Sequence, residues 1–92
     1  MWKVVWNRKV EKELRKLPDY IQEKFRSWFV AVETDGLLVT RKLPGLHDEP
    51  LKGDRIGQRS VRLSKAYRAI YREGKDGSVI LVEVLEVNKH AY

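Results

Sequence analysis

The order of apolar patterns along the chain predicts an α+β fold: an N-terminal strand, a two-helix hairpin, then an antiparallel three-strand meander, with both helices on one face of a small sheet. Three observations carry this. Residues 8–33 repeat apolar side chains at spacings of three and four, interrupted once by Pro18. Residues 58–73 alternate apolar and polar side chains, the period of a half-exposed strand. Residues 78–87 are almost continuously apolar, which suits a strand in the middle of a sheet.

Residues 2–6, Trp-Lys-Val-Val-Trp, read as a short strand covered on both faces. Asn7 can cap a helix over 8–16, whose inner side is Val10, Leu14 and Leu17. Pro18 breaks that helix and suits the first turn of a second over 18–33, with Asp19 at its positive end. Ile21, Phe25, Trp28, Phe29 and Val32 form its stripe, spaced as a core-facing helix requires rather than as a base-stacking platform. Asp35-Gly36 ends the hairpin, residues 37–43 can add a helical turn, and a linker with Pro44, Gly45 and Pro50 follows. Strands over 58–64 and 67–73, a turn over 74–77 and a last strand over 78–87 complete a single domain, 1–92. With helices on one face, the other is open, and alternation projects Arg62 and Arg68 onto it, toward a substrate, while Arg59 faces the other way.

Composition narrows the function. Ninety-two residues, 42% hydrophobic and 35% charged, suffice for a folded domain without staples. The absence of cysteine removes disulfides and thiolate zinc sites. No apolar run reaches the roughly 20 residues of a membrane span or resembles a signal peptide, so a cytoplasmic protein without a membrane partner is expected. Lys52, Arg55, Arg59, Arg62, Lys65, Arg68 and Arg72 face a single acid, Asp54, within residues 52–72, a net +6 that equals the charge of the whole chain. Such a localised field points to a polyanionic partner.

Elimination narrows the chemistry further. His47 and His90 are the only histidines, and no ligand spacing builds a metal shell. No serine sits in a nucleophile elbow, and Gly53 and Gly57 do not form a phosphate loop. A carboxylate, several cations and a terminal His-Ala-Tyr remain. That set suits metal-free and cofactor-free RNA cleavage, in which the substrate supplies its own 2′-hydroxyl nucleophile. Glu49 can serve as base, His90 as acid, and Arg62, Arg68 and Lys52 as the phosphate clamp.

Four segments then resemble a known family. Glu-Pro-Leu-Lys-Gly-Asp (49–54), Gly-Gln-Arg-Ser-Val-Arg (57–62), Tyr-Arg-Ala-Ile-Tyr (67–71) and Val-Asn-Lys-His-Ala-Tyr (87–92), in this order, look like the RelE/ParE superfamily of bacterial type II toxins. The likeness is greatest to the HigB, YoeB and RelE-type mRNA interferases, with their RelE-like microbial RNase fold. The resemblance implies a ribosome-associated endoribonuclease that cuts translated mRNA and is neutralised by a cognate antitoxin. It assigns catalysis to Glu49, His90, Arg62 and Arg68 and matches Lys52 and Tyr92 to further site residues, which are expected to contact substrate together with the cations Arg55 and Lys89. Arg59, on the other face, is expected in a structural or antitoxin-facing role. HigB-like members carry histidine where Glu49 stands, which favours the YoeB-like assignment. Position 91, often acidic in such tails, is Ala91 here. ParE-like relatives share the scaffold and poison DNA gyrase instead, and a non-catalytic RNA-binding module is the third alternative.

Overall fold

The computed structural model describes residues 1–89. Its strands are β1 (Trp2–Trp6), β2 (Glu49–Pro50), β3 (Gln58–Arg62), β4 (Tyr67–Asp76) and β5 (Val79–Lys89), and its helices are α1 (Arg8–Arg15), α2 (Asp19–Asp35) and α3 (Leu37–Thr40). They form one mixed sheet in the order β1-β5-β4-β3-β2. β1 runs parallel to β5 and every other pairing is antiparallel. The predicted central place of the last strand follows from its sequence: β5 lies between β1 and β4, where an apolar run is covered.

The helices cover one face. Asn7 accepts from the Val10 amide at 2.9 Å and starts α1, which buries Val10 and Leu14. Pro18 stands just before α2, whose Ile21, Phe25, Trp28 and Val32 meet Val4, Val61, Ala69, Tyr71, Val82, Val84 and Val87 of the sheet in a single core. Phe25 and Phe29 also meet the Trp6 ring edge-on, with centroids 5.2 and 5.6 Å away. The expected stripe is therefore core.

Gly36 ends α2 with φ +86° and ψ 158°, a conformation that only glycine adopts readily, and its amide donates to Val32 O. A Cβ at this position would lie 2.7 Å from Trp2 Nε1, so the helix exit and the first strand require glycine jointly.

Four expectations need correction. β1 is covered on one face only: Val4 is buried and Lys3 exposed, because β1 sits at the sheet edge beneath one helical layer. β3 stops at Arg62, and Leu63 instead closes a tight loop by donating its amide to Tyr67 O at 2.9 Å. The hairpin turn is Gly77-Ser78 rather than 74–77, because Asp76 still pairs with Val79 and Gly77 supplies the positive φ of +61° that a two-residue turn needs. The short β2 was not anticipated, since a two-residue strand containing proline has no readable period.

Candidate active-site face

β2, β3 and β4 place a carboxylate among arginines on the uncovered face. Glu49 lies opposite Ser60, and Arg62 opposite Arg68. Arg68 donates through Nη1 to Ser60 Oγ at 2.6 Å and reaches within 3.6 Å of Glu49 Oε1. Its side chain is 15% exposed while that of Glu49 is 60% exposed, so the arginine is held and the carboxylate is offered to solvent. Arg62 contacts the Ser64 carbonyl at 3.4 Å and has no carboxylate partner among the described residues. Two arginines directly across strands repel. Glu49 and Ser60 offset that for Arg68, which leaves Arg62 as the cation an incoming anion would satisfy.

The rest of the face is less basic than its segment charge suggested. A bulge in β5 next to Leu85 breaks the register with β4, since Ile70 pairs with Glu86 and Tyr71 with Val84. Glu83 and Glu86, three positions apart, consequently share the open face. Glu83 pairs with Arg72 at 2.9 Å, and Glu86 pairs with Arg55, whose Nε also donates to Gln58 Oε1 at 2.8 Å. Arg55 therefore enters any substrate contact already engaged. Lys52 is exposed at the entry to a 3₁₀ turn over Gly53–Arg55, and Lys89 is exposed at the end of β5, opposite Tyr67. His90 and Tyr92 lie outside the described residues.

Asp48 was missed in the sequence, where it reads as a loop acid. Its side chain is 1% exposed, and it accepts from Arg59 Nε at 2.6 Å and from the Tyr71 hydroxyl at 2.5 Å. Arg59 Nη2 also donates to its carbonyl at 3.3 Å, and Arg41 Nε donates to the Tyr71 oxygen at 3.4 Å. Burial pushes the Tyr71 phenol above its ordinary value; the Arg41 hydrogen bond opposes the shift and the Asp48 carboxylate adds to it. His47, in the left-handed region at φ +43°, turns the chain into this anchor. Strand alternation then sends Glu49 to the opposite face. Arg59, expected to face away from substrate, does so in this structural role. The signal available in sequence was the alternation placing Arg59 and Tyr71 on the core side, where an arginine needs a buried acid.

No group of side chains that could hold a metal ion occurs among the described residues. No described helix is long and apolar enough to cross a membrane.

The small mixed sheet, the helical hairpin on one face and the carboxylate–arginine cluster on the other define a compact α+β domain with one open, charged sheet face. A family model for the ParE toxin of type II toxin–antitoxin systems matches residues 4–91, and the chain belongs to that family, within the RelE/ParE superfamily. Solved structures agree on the fold. A YoeB/ParE toxin from Agrobacterium tumefaciens aligns with TM-score 0.72 and 24% identity over 97% of this chain and 99% of its own. The RelBE2 toxin–antitoxin complex of Mycobacterium tuberculosis aligns with TM-score 0.59 and 24% identity over 96% of both chains. The YoeB–YefM complex of Staphylococcus aureus aligns with TM-score 0.66 and 17% identity over 100% of this chain and 99% of the other. No curated protein matches the chain.

Proposed function

We propose that this toxin acts as a ribosome-dependent endoribonuclease that cuts translated mRNA by attack of the substrate's own 2′-hydroxyl. The observation that supports this best is the solvent-facing Glu49 carboxylate 3.6 Å from Arg68, with Arg62 across the strand from that arginine. Glu49 takes the 2′ proton as the oxygen attacks the adjacent phosphorus. Arg62 and Arg68 stabilise the charge that accumulates on the phosphorane oxygens, and His90 protonates the departing 5′ oxygen. Lys52, Arg55, Lys89 and Tyr92 hold the strand. No metal or cofactor enters the scheme.

The test is cleavage of mRNA on programmed ribosomes. Glu49→Ala and His90→Ala should each slow cutting by about 10²- to 10⁴-fold, the usual contribution of an acid or base. An mRNA with a 2′-deoxy nucleotide at the cut position should stay intact. Undiminished cutting by both variants would sink the assignment.

The neighbours from M. tuberculosis and S. aureus are toxin–antitoxin complexes by description. We assign this chain an antitoxin of its own, a flexible acidic segment that covers the open face and is removed by proteolysis. A second reading, inhibition of DNA gyrase, is favoured by the ParE family match over residues 4–91. Gyrase assayed on supercoiled plasmid separates the two: a gyrase poison would act there equally well with Glu49→Ala.

A further inference from the structure

The charge that balances in sum outside residues 52–72 does not balance in place. α1 carries Arg8, Lys9, Lys12, Arg15 and Lys16 at its exposed positions, the last as its C-cap. At 3.6 residues per turn these side chains occupy an arc of about 120° centred opposite Val10 and Leu14. The acids of the helix flank the arc and are engaged inward. Glu11 accepts from the Trp6 indole at 2.6 Å, and Glu13 lies 3.5 Å from the Val87 amide. Only Arg15 has a carboxylate partner among the described residues, Glu11 at 3.5 Å.

Lys12, Arg15 and the C-cap Lys16 suit the negative end of the helix, but the other end is opposed. Arg8 and Lys9 stand in the first turn, where the macrodipole is already positive. Arg8–Lys12 and Lys12–Lys16 are like-charge pairs at i, i+4. Cations at the positive end of the helix and like-charge pairs along one arc are better explained by an anionic partner than by solubility. Beside it, Trp6, Asn7, Arg8, Glu11, Lys12 and Arg15 line an open recess of about 400 Å³. A half-buried indole next to cations suits a stacked base with its phosphates more than it suits an acidic peptide.

We propose that the outer face of α1 and this recess form a second nucleic-acid contact, taking the phosphate backbone of folded RNA on the side of the molecule opposite Glu49. The helical layer separates the two faces, so the toxin can lie between two RNA segments, one cut and one merely held. The contact does not depend on the cleavage reading, because it concerns binding alone.

The test uses the full chain and a labelled 2′-O-methyl RNA hairpin, which cannot be cut through its own 2′-hydroxyl. Combined Arg8→Gln, Lys9→Gln, Lys12→Gln and Lys16→Gln should weaken binding at least about tenfold near 50 mM salt and flatten the log–log salt slope by about 2 to 4. Its thermal midpoint should change little, since glutamine matches lysine in helix propensity and the relieved repulsion offsets the favourable charge lost at the C-terminal end. If the combined variant does not fold, Lys12→Gln alone should lower the slope by about 0.9. Lys42→Gln with Lys75→Gln serves as control and should change affinity less than twofold. An unchanged slope in the folded α1 variant overturns the proposal, as does an equal loss in the control, or equally tight binding of a poly-glutamate peptide.

Discussion

Tyr71 shows how one buried hydroxyl ties chemistry to stability. Its phenol is fully buried, donates to Asp48 and titrates above its ordinary value near 10, so the folded protein holds this proton more tightly than the unfolded chain. That contribution is complete below about pH 10 and is lost as pH rises through the folded-state value. Urea unfolding between pH 8 and 11 should show the decline in the wild type and a flatter profile for Tyr71→Phe. Gly36 is constrained by backbone instead of charge. Gly36→Ala would place a methyl 2.7 Å from the Trp2 indole at φ +86°. The expected cost is about 1–3 kcal/mol of strain, and a fall in thermal midpoint of roughly 5–20 °C in a scanning experiment.

Among elements, the segment joining α3 to β3 is the least regular and the most consequential. It has two short 3₁₀ turns, over Pro44–Leu46 and Gly53–Arg55, a left-handed His47 and a two-residue strand, yet it carries Glu49. Asp48 is what fixes it to the sheet. Asp48→Ala leaves Arg59 facing the core without its acid, and should cost about 3 kcal/mol of stability by chemical denaturation. On the proposed reading it should also slow cleavage, with Arg59 intact but Glu49 no longer held. The helices were legible because a core-facing stripe repeats over several turns, from Ile21 to Val32. Strand alternation likewise placed Arg62 and Arg68 on the open face and Arg59 on the other. The anchor was not legible: it joins Asp48 to side chains 11 and 23 positions away, and no local period reports such pairs. The pairing of Glu83 and Glu86 with arginines was hidden for a related reason, because the β5 bulge reverses strand parity and leaves no mark in hydropathy.

At the scale of the molecule, the two layers divide the labour. The helical layer closes the core, and the sheet's uncovered side presents Glu49, Arg62 and Arg68. Summed charge did point to a polyanion, but it could not separate cations committed to internal acids, such as Arg55 and Arg72, from Arg62. Raising ionic strength should weaken substrate association more than the cutting step, because exposed charges are screened within about 10 Å at 0.1 M salt. Single-turnover rates at saturating and limiting toxin concentration would read the two effects separately.

The parallel pairing of β1 with β5 has a consequence for synthesis. The strand that leaves the ribosome first has the strand that leaves last as its sole neighbour in the sheet. Until Val79–Lys89 has emerged, Trp2 and Trp6 lack that neighbour and the sheet lacks the strand that joins β1 to β4. Loop closure across nearly the whole chain comes late. A nascent chain arrested after Asp76 should therefore remain open to protease, while one extended past Lys89 and a ribosome-tunnel spacer becomes resistant. A toxin made only as far as Asp76 is thus an unfolded one, and the finished fold forms only once the last strand is clear of the ribosome.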